Sequence, residues 1–372
     1  MRITIVQGAF LPVPPILGGA VEKIWFALGK EFARRGHQVT HVSRRHRTFA
    51  CEEFIGGVHH IRVPGFDIPP SMVRLKWRDL IYSRNALKVL PEADVLVTNS
   101  FWLPVLSRSP ERGKICVHVS RYPKGQIKFY GNAARLHAVS HAIEEAISKE
   151  APDSPSRIRV IPNFVDTSEM QSCDGKRKQD FLFVGRLHPE KGIHILLDAF
   201  DKLVAGGLRD WRLRIVGPWE IRHGGGGWRY FQGLRDRSEK LGDSVSWEGP
   251  VFDAADLRAC YRASSVFVYP SLAEHGETFG LAPLEAMAAG CPPVVSSLEC
   301  FRDFIKPGFN GWTFNHRSID ASANLANALK NVISETDTLA RVRECALRTA
   351  KEFTLLKVAD QYLSDFEEIV RR

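Results

Sequence analysis

Two glutamates eight positions apart, Glu277 and Glu285, bracket the stretch Glu277-Thr278-Phe279-Gly280-Leu281-Ala282-Pro283-Leu284-Glu285, which follows the apolar run 266–269. A helix starting near Leu281 would aim its free first-turn N–H groups and positive dipole end beyond the strand, a ready site for a diphosphate. Glu277 then lies in the loop before the helix and Glu285 in its second turn. That spacing lets one carboxylate reach a sugar and the other a ribose. The same pair also fits a capping acid and an ordinary helix residue.

A second group, Val184-Gly185-Arg186-Leu187-His188-Pro189-Glu190-Lys191-Gly192, follows the apolar run 181–184. When a sugar leaves a nucleoside diphosphate, negative charge grows on the bridging phosphate oxygen, and fixed cations aimed at it lower the barrier. Arg186 can grip phosphate with a two-pronged fork, and Lys191 acts as a point charge. Leu17-Gly18-Gly19-Ala20, after the run 3–6, lets backbone approach a ligand closely. It lacks the third glycine of a dinucleotide fingerprint, which argues against a nicotinamide or flavin enzyme. His118 ends the run 115–119, where a polar side chain should face a ligand; a structural histidine is the competing reading. Arg121, Tyr122 and Lys124 follow it. No Asp-x-Asp occurs, and His and Cys show no metal-ligand spacing. Arg186, Lys191 and helix amides would therefore counter the diphosphate charge without a metal.

The elements that must position these groups read as two repeats of one architecture. Short Val- and Ile-rich runs at 3–6, 39–42, 59–63, 95–98 and 115–119 alternate with helical stretches. The pattern restarts at 181–184, 213–216, 245–247, 266–269 and 293–296. Such alternation predicts parallel sheets covered by helices. Ile24, Leu28 and Phe32 mark the buried stripe of a helix over 21–35, closed by Gly36. Leu355, Val358, Tyr362, Phe366 and Ile369 predict a terminal helix over 353–372. The polar stretch 167–179 reads as the linker. The glycines at 224–227 predict a mobile loop, read as an insertion rather than a ligand lid. Facing α/β domains would form a cleft at the carboxyl ends of their strands, where nucleotides bind.

The 372 residues suit two domains. The net charge of +9 is one-sided: residues 1–170 hold 24 basic against 15 acidic residues, and 171–372 hold 27 of each. Such a field attracts phosphates, acidic lipid headgroups or nucleic acid. Seven scattered cysteines without a Cys-x-x-Cys pair suit a reducing compartment. No signal-peptide core and no run of about 18 apolar residues occurs. The chain therefore reads as cytoplasmic, with a possible peripheral location at the inner face of the cell membrane.

Taken in order, these pieces resemble the retaining glycosyltransferases of family four. The resemblance rests on Gly18-Gly19-Ala20, Arg34-Arg35-Gly36-His37, Ala138-Val139-Ser140 and Val160-Ile161-Pro162-Asn163-Phe164-Val165-Asp166. It continues through Val184-Gly185-Arg186-Leu187 with Glu190-Lys191-Gly192, and ends with Glu277 to Glu285 and the terminal helix. It implies an α/β GT-B fold: two facing Rossmann-like, doubly wound parallel-sheet domains with a cleft between them. The expected division is 1–170 and 171–352, with 353–372 crossing back to the first domain. It implies a nucleotide sugar of UDP or GDP type as substrate, no cofactor and no metal. The acceptor would be a sugar, a lipid-linked molecule or a small molecule. Arg186 and Lys191 would bind the diphosphate, Glu277 the sugar and Glu285 the ribose. Backbone at Phe279, Gly280 and Leu281 would hold phosphate and sugar. Gly18 and Gly19 would close over the donor, Glu248 and Gly249 lie near the nucleobase, and His118 corresponds to the family's cleft histidine. One departure bears on the chemistry. Glu274 competes with Glu277 for the first acidic position, and the Thr-Phe-Gly after Glu277 favours the latter.

The competing reading is a non-catalytic binder of an anion, a membrane or nucleic acid through the basic first half. Met72, Trp77 and Tyr82 among Arg74, Lys76, Arg78 and Arg84 form a stretch suited to a membrane surface. Nucleic acid has no support beyond charge.

Overall fold

The computed structural model describes residues 1–153, 155–166, 177–334 and 336–371. Two compact units emerge: Met1–Phe164 with Leu355–Arg372, and Val165–Thr354. The expected linker lies mostly at 167–176, outside the described residues. Its last two residues, Lys178 and Gln179, open a strand instead.

Unit one holds strands β1 (Arg2–Val6), β2 (Gln38–Arg44), β3 (Glu52–Ile55), β4 (Val58–Val63), β5 (Val95–Thr98), β6 (Lys114–Val119), β7 (Arg135–Ala138) and β8 (Ile158–Val160). Their sheet order is β3-β4-β2-β1-β5-β6-β7-β8, with only β3 antiparallel to its neighbour. Unit two holds β9 (Lys178–Val184), β10 (Arg212–Val216), β11 (Val245–Gly249), β12 (Ser264–Tyr269), β13 (Pro293–Ser296) and β14 (Trp312–Phe314). Their order is β11-β10-β9-β12-β13-β14, all parallel. Both are doubly wound Rossmann-like sheets, as the alternating pattern predicts.

The apolar runs became the central strands because burial on both faces demands continuous Val, Ile, Leu and Phe. Helix Ala20–Arg34 lays Ile24, Leu28 and Phe32 fully into the unit-one core. Gly36, at φ 87°, takes the left-handed conformation that ends it.

The terminal helix runs Leu355–Arg371, not from residue 353. Phe353 closes a short turn, Lys351–Phe353, and its ring stays in unit two, 6.0 Å from Phe279 and 6.0 Å from Phe304. The helix packs on unit one, where Tyr362 tilts against Trp25 at 4.9 Å and Phe366 meets Phe32 edge-on at 6.0 Å. Its Asp365 explains β7, a strand with no Val or Ile. Arg135 Nε and His137 Nε2 bond the two Asp365 oxygens at 2.7 and 2.8 Å, and Arg159 adds a second guanidinium at 3.3 Å. Burial pushes the Asp365 carboxyl up, but the His137 hydrogen bond and the Arg135 bond and charge outweigh it and hold it at about 2.

Removing Asp365 takes from the buried, charged Arg135 its buried partner and leaves it only the part-exposed Glu368 at 2.7 Å. Asp365→Ala should destabilise the protein by about 3–5 kcal/mol in urea unfolding. Because the folded carboxyl lies below its unfolded value, its contribution is present above pH ~4 and fades as pH falls toward ~2. Asp365→Asn should lack that acid-sensitive component; an unchanged acid titration would show that the network does not hold the helix.

Candidate functional site

Strands β9 and β12 are neighbours, and from them the sheet order winds outward in both directions. The carboxyl ends of such a pair form the crevice where open α/β sheets bind ligands. In unit two these ends feed the loop carrying Arg186 and Lys191 and the loop carrying Glu277. The loops are joined by backbone: Leu272 N–H donates to the Glu190 carbonyl at 2.7 Å. Gly192, at φ 69°, permits the contact, because a Cβ there would stand 2.0 Å from the Pro270 carbonyl oxygen.

At this junction Lys191 Nζ donates to Glu277 Oε2 at 2.7 Å. The Tyr269 hydroxyl and Ser271 hydroxyl donate to the same oxygen at 3.1 and 3.2 Å. The two charged side chains are 8% and 13% exposed, so the pair is largely withdrawn from water. The ammonium also stands 5.4 Å from the Tyr269 ring centre. Burial, followed by the Glu277 charge, pushes the Tyr269 hydroxyl well above its ordinary value, so it remains a donor.

Three residues beyond Glu277, Gly280 turns left-handed at φ 94° and starts helix Leu281–Ala288. No side chain caps that helix, so its first N–H groups and dipole end are offered to an anion. Phe279 is buried against Phe304 at 5.3 Å, an anchor that leaves only its backbone for a ligand. Glu285 accepts from the Tyr261 hydroxyl at 3.1 Å in the second turn. Arg186, 46% exposed, donates to the Gly224 carbonyl and to Glu190 Oε1, each at 2.9 Å. The structure separates the two competing acids: Glu274 pairs with His316 at 2.8 Å and Arg317 at 2.8 Å, while Glu277 takes Lys191.

Glu248 stands near the carboxyl end of β11. Its carboxylate is committed to Arg214 at 2.6 and 2.9 Å. Its neighbour Gly249, at φ 67°, accepts from Gly217 N–H at 2.7 Å.

In unit one, β1 and β5 form the equivalent strand pair. Gly18 and Gly19 have φ of 80° and 96°, and a Cβ on Gly19 would come 2.1 Å from the Glu22 carboxylate. Within this unit, then, Gly19 is glycine because of its positive φ, and the Glu22 side chain occupies the space so left. His118 is buried rather than open, edge-on to Trp25 at 5.4 Å. Its Nδ1 lies 3.3 Å from the Tyr362 hydroxyl, while no protein group bonds its Nε2. Burial lowers its imidazole to about 3, so it acts as a neutral hydrogen-bonding group. Gln7 and Asn99, just past the ends of β1 and β5, each carry a buried oxygen that no group among the described residues bonds. Neither residue was legible as functional, nor were Tyr269, Ser271 and Trp25. Position at or just past a strand end was the only available signal for the first four, and Trp25, inside helix Ala20–Arg34, had none.

Among the described residues no group of three or more His, Cys, Asp or Glu is gathered closely enough to hold a metal.

The fold is that of nucleotide-binding α/β enzymes, and the family matches make the chain a glycosyltransferase. Residues 18–169 match the family model "Glycosyltransferase Family 4", and residues 168–347 match "Glycosyl transferases group 1". The chain belongs to this family, with the GT-B architecture. It is similar to spore coat protein SA of Bacillus subtilis, 24% identical over 99% of this chain and all of that one. It is 34% identical over 218 residues to a phosphatidyl-myo-inositol mannosyltransferase of Mycobacterium tuberculosis, across 56% of this chain and 53% of that enzyme. Its fold matches Anabaena Alr3699/HepE, solved in complex with UDP and glucose, at a TM-score of 0.72 and 19% identity, covering 99% of this chain and all of that one.

The Lys191–Glu277 pair should show strong coupling. Lys191→Ala should cost about 3 kcal/mol of stability by stranding a buried carboxylate. Lys191→Ala with Glu277→Ala should cost less than the sum of the single changes. Additive losses in urea unfolding would show the two side chains to be independent.

Proposed function

We propose that the enzyme transfers a glycosyl group from a nucleoside-diphosphate sugar to an acceptor hydroxyl, with retention at the anomeric carbon and without a metal ion. The observation carrying this reading is the withdrawn Lys191–Glu277 pair beside the uncapped start of helix Leu281–Ala288, at the β9/β12 strand ends. The UDP and glucose held by Alr3699/HepE support a nucleotide-sugar donor.

In this reading Arg186, Lys191 and the N–H groups near Gly280 and Leu281 bind the diphosphate. Glu277 holds the sugar and Glu285 the ribose. With its carboxylate tied to Arg214, Glu248 serves through backbone, beside Gly249. The bond from the anomeric carbon to the phosphate oxygen breaks first, giving an oxocarbenium-like state. The departing phosphate keeps that electron pair, and the cations and amides neutralise it. The acceptor oxygen bonds to the anomeric carbon from the leaving-group face, and its proton passes to a phosphate oxygen. Gly18, Gly19 and the neutral His118 of unit one are assigned to the same step. The acceptor is a sugar, a lipid-linked molecule or a small molecule. Family membership favours this enzyme over a non-catalytic anion binder.

With a panel of UDP, GDP and ADP sugars, one donor should release its diphosphate at a rate EDTA does not change. Arg186→Ala and Lys191→Ala should each lower kcat/KM by about 30- to 1000-fold. Near-wild-type mutants would overturn the assignment. Loss in EDTA restored by Mg²⁺ would overturn metal independence alone.

We also propose peripheral membrane contact through unit one. On helix Met72–Leu87 and the segment before it, Ile68, Met72, Val73 and Trp77 are exposed beside Arg74 and Lys76. Tyr82 does not belong to this surface, because it is fully buried. An apolar face rimmed by cations fits an anionic bilayer surface. The protein should co-sediment with phosphatidylglycerol-containing vesicles, less so at high salt, and Trp77→Asp should weaken this several-fold. Equal recovery with purely zwitterionic vesicles would remove the electrostatic part of this reading, and no recovery would end it.

A further inference from the structure

Between β10 and helix Trp228–Ser238 the chain makes a short turn, Ile221–His223, and then runs through four glycines, 224–227. Sequence reading treats this as an insertion without a role. The structure docks it on the segment bearing Arg186. Gly226 N–H donates to the Leu187 carbonyl and Leu187 N–H to the Pro218 carbonyl, both at 2.8 Å. Gly227 N–H closes the turn on the Trp219 carbonyl at 2.8 Å. The Trp219 ring stacks on Phe231 at 5.5 Å and meets Trp228 at 5.5 Å, which roots the turn in the following helix.

Gly225 and Gly226 are required by close approach, and Gly224 by its left-handed backbone. A Cβ on Gly224 would stand 2.8 Å from Arg186 Nη1, and the residue has φ 79°. A Cβ on Gly225 would meet the Trp219 carbonyl oxygen at 2.2 Å. One on Gly226 would meet Tyr230 at 2.8 Å and Pro189 at 3.0 Å. A linker chosen for flexibility has no need for this fit at each position.

The contact with most chemical content is Arg186 Nη1 donating to the Gly224 carbonyl at 2.9 Å, while Nη2 donates to Glu190 at 2.9 Å. Tethers on both outer nitrogens fix the plane of the guanidinium. Each of those nitrogens carries a second N–H, and recognition of phosphate by a planar fork depends on the orientation of that plane. A carbonyl fixes orientation without adding a net negative charge. We infer that the 224–227 glycine turn is the positioning element of Arg186, presenting its guanidinium to the donor diphosphate. This inference rests on the donor-binding reading above.

The test compares Gly224→Ala, Arg186→Lys and the double variant, with Gly233→Ala as control, since a Cβ at Gly233 meets nothing within 4 Å. Two quantities are read: nucleoside diphosphate affinity by calorimetry, and kcat/KM for the donor. Gly224→Ala should lose about ten- to a hundredfold in donor kcat/KM, with acceptor KM unchanged and Gly233→Ala like wild type. In the Arg186→Lys background, which lacks the fork, Gly224→Ala should cause little further loss. Equal losses in both backgrounds would make the turn merely structural and overturn the inference, as would wild-type activity in Gly224→Ala. Should Gly224→Ala not fold, Glu190→Gln in the same two backgrounds gives the same coupling test on the second tether. Wild-type protein that binds no nucleoside diphosphate and consumes no nucleotide sugar would overturn the donor reading itself.

Discussion

The candidate site of unit two is organised around one ion pair, Lys191 with Glu277, held largely out of water. Withdrawing two charges from water costs several kcal/mol each, and apolar residues of similar volume often serve stability as well or better. The pair is not needed to join its two loops. The Leu272–Glu190 backbone bond and the close approach of Gly192 to Pro270 already do that. What the pair supplies is a fixed ammonium and a fixed carboxylate at a strand crevice. The Tyr269 and Ser271 hydroxyls complete the carboxylate's shell, so its position is set by three donors rather than by one flexible lysine.

Much of the architecture was legible because two-sided burial forces continuous apolar runs. Ten strands could be read from such runs. The four that could not were β3, β7, β8 and β14, which are short, at a sheet edge, or polar. In β7 the cause is long-range: Arg135 and His137 are buried because Asp365 arrives from the terminal helix. No window of local sequence contains that pairing. Tyr82 was misread for a related reason. It shares a helix with exposed Trp77, but five residues turn a side chain well around the helix, and Tyr82 faces the core.

The site was legible in its charges and illegible in its supports. Arg186, Lys191 and Glu277 announce themselves by type and by position after strand ends. Their supports are a tyrosine closing a strand, a serine after a proline and the carbonyl of a glycine. None has a composition that separates it from ordinary loop residues. A backbone carbonyl is present at every position, so only the fold shows that Gly224 meets Arg186.

The two acids of the loop after β12 illustrate how environment divides roles between identical side chains. Glu274 is half exposed and meets two bases, His316 and Arg317. Burial pushes its carboxyl up, but the bonds from Arg317 and His316 more than reverse this and hold it below the usual range. Through them it fastens the loop to the segment after β14. Glu277, three residues on, is withdrawn and meets one cation and two hydroxyls. The loop is thus tied at Leu272 to the β9 loop, at Glu274 to the β14 side, and at Gly280 to the start of a helix. Three attachments over nine residues leave the intervening Glu277 little freedom. A carboxylate assigned to hold a reacting sugar, as proposed for Glu277, would need that restraint. An acid and a lysine on free surface loops would gain too little from their attraction to hold each other there.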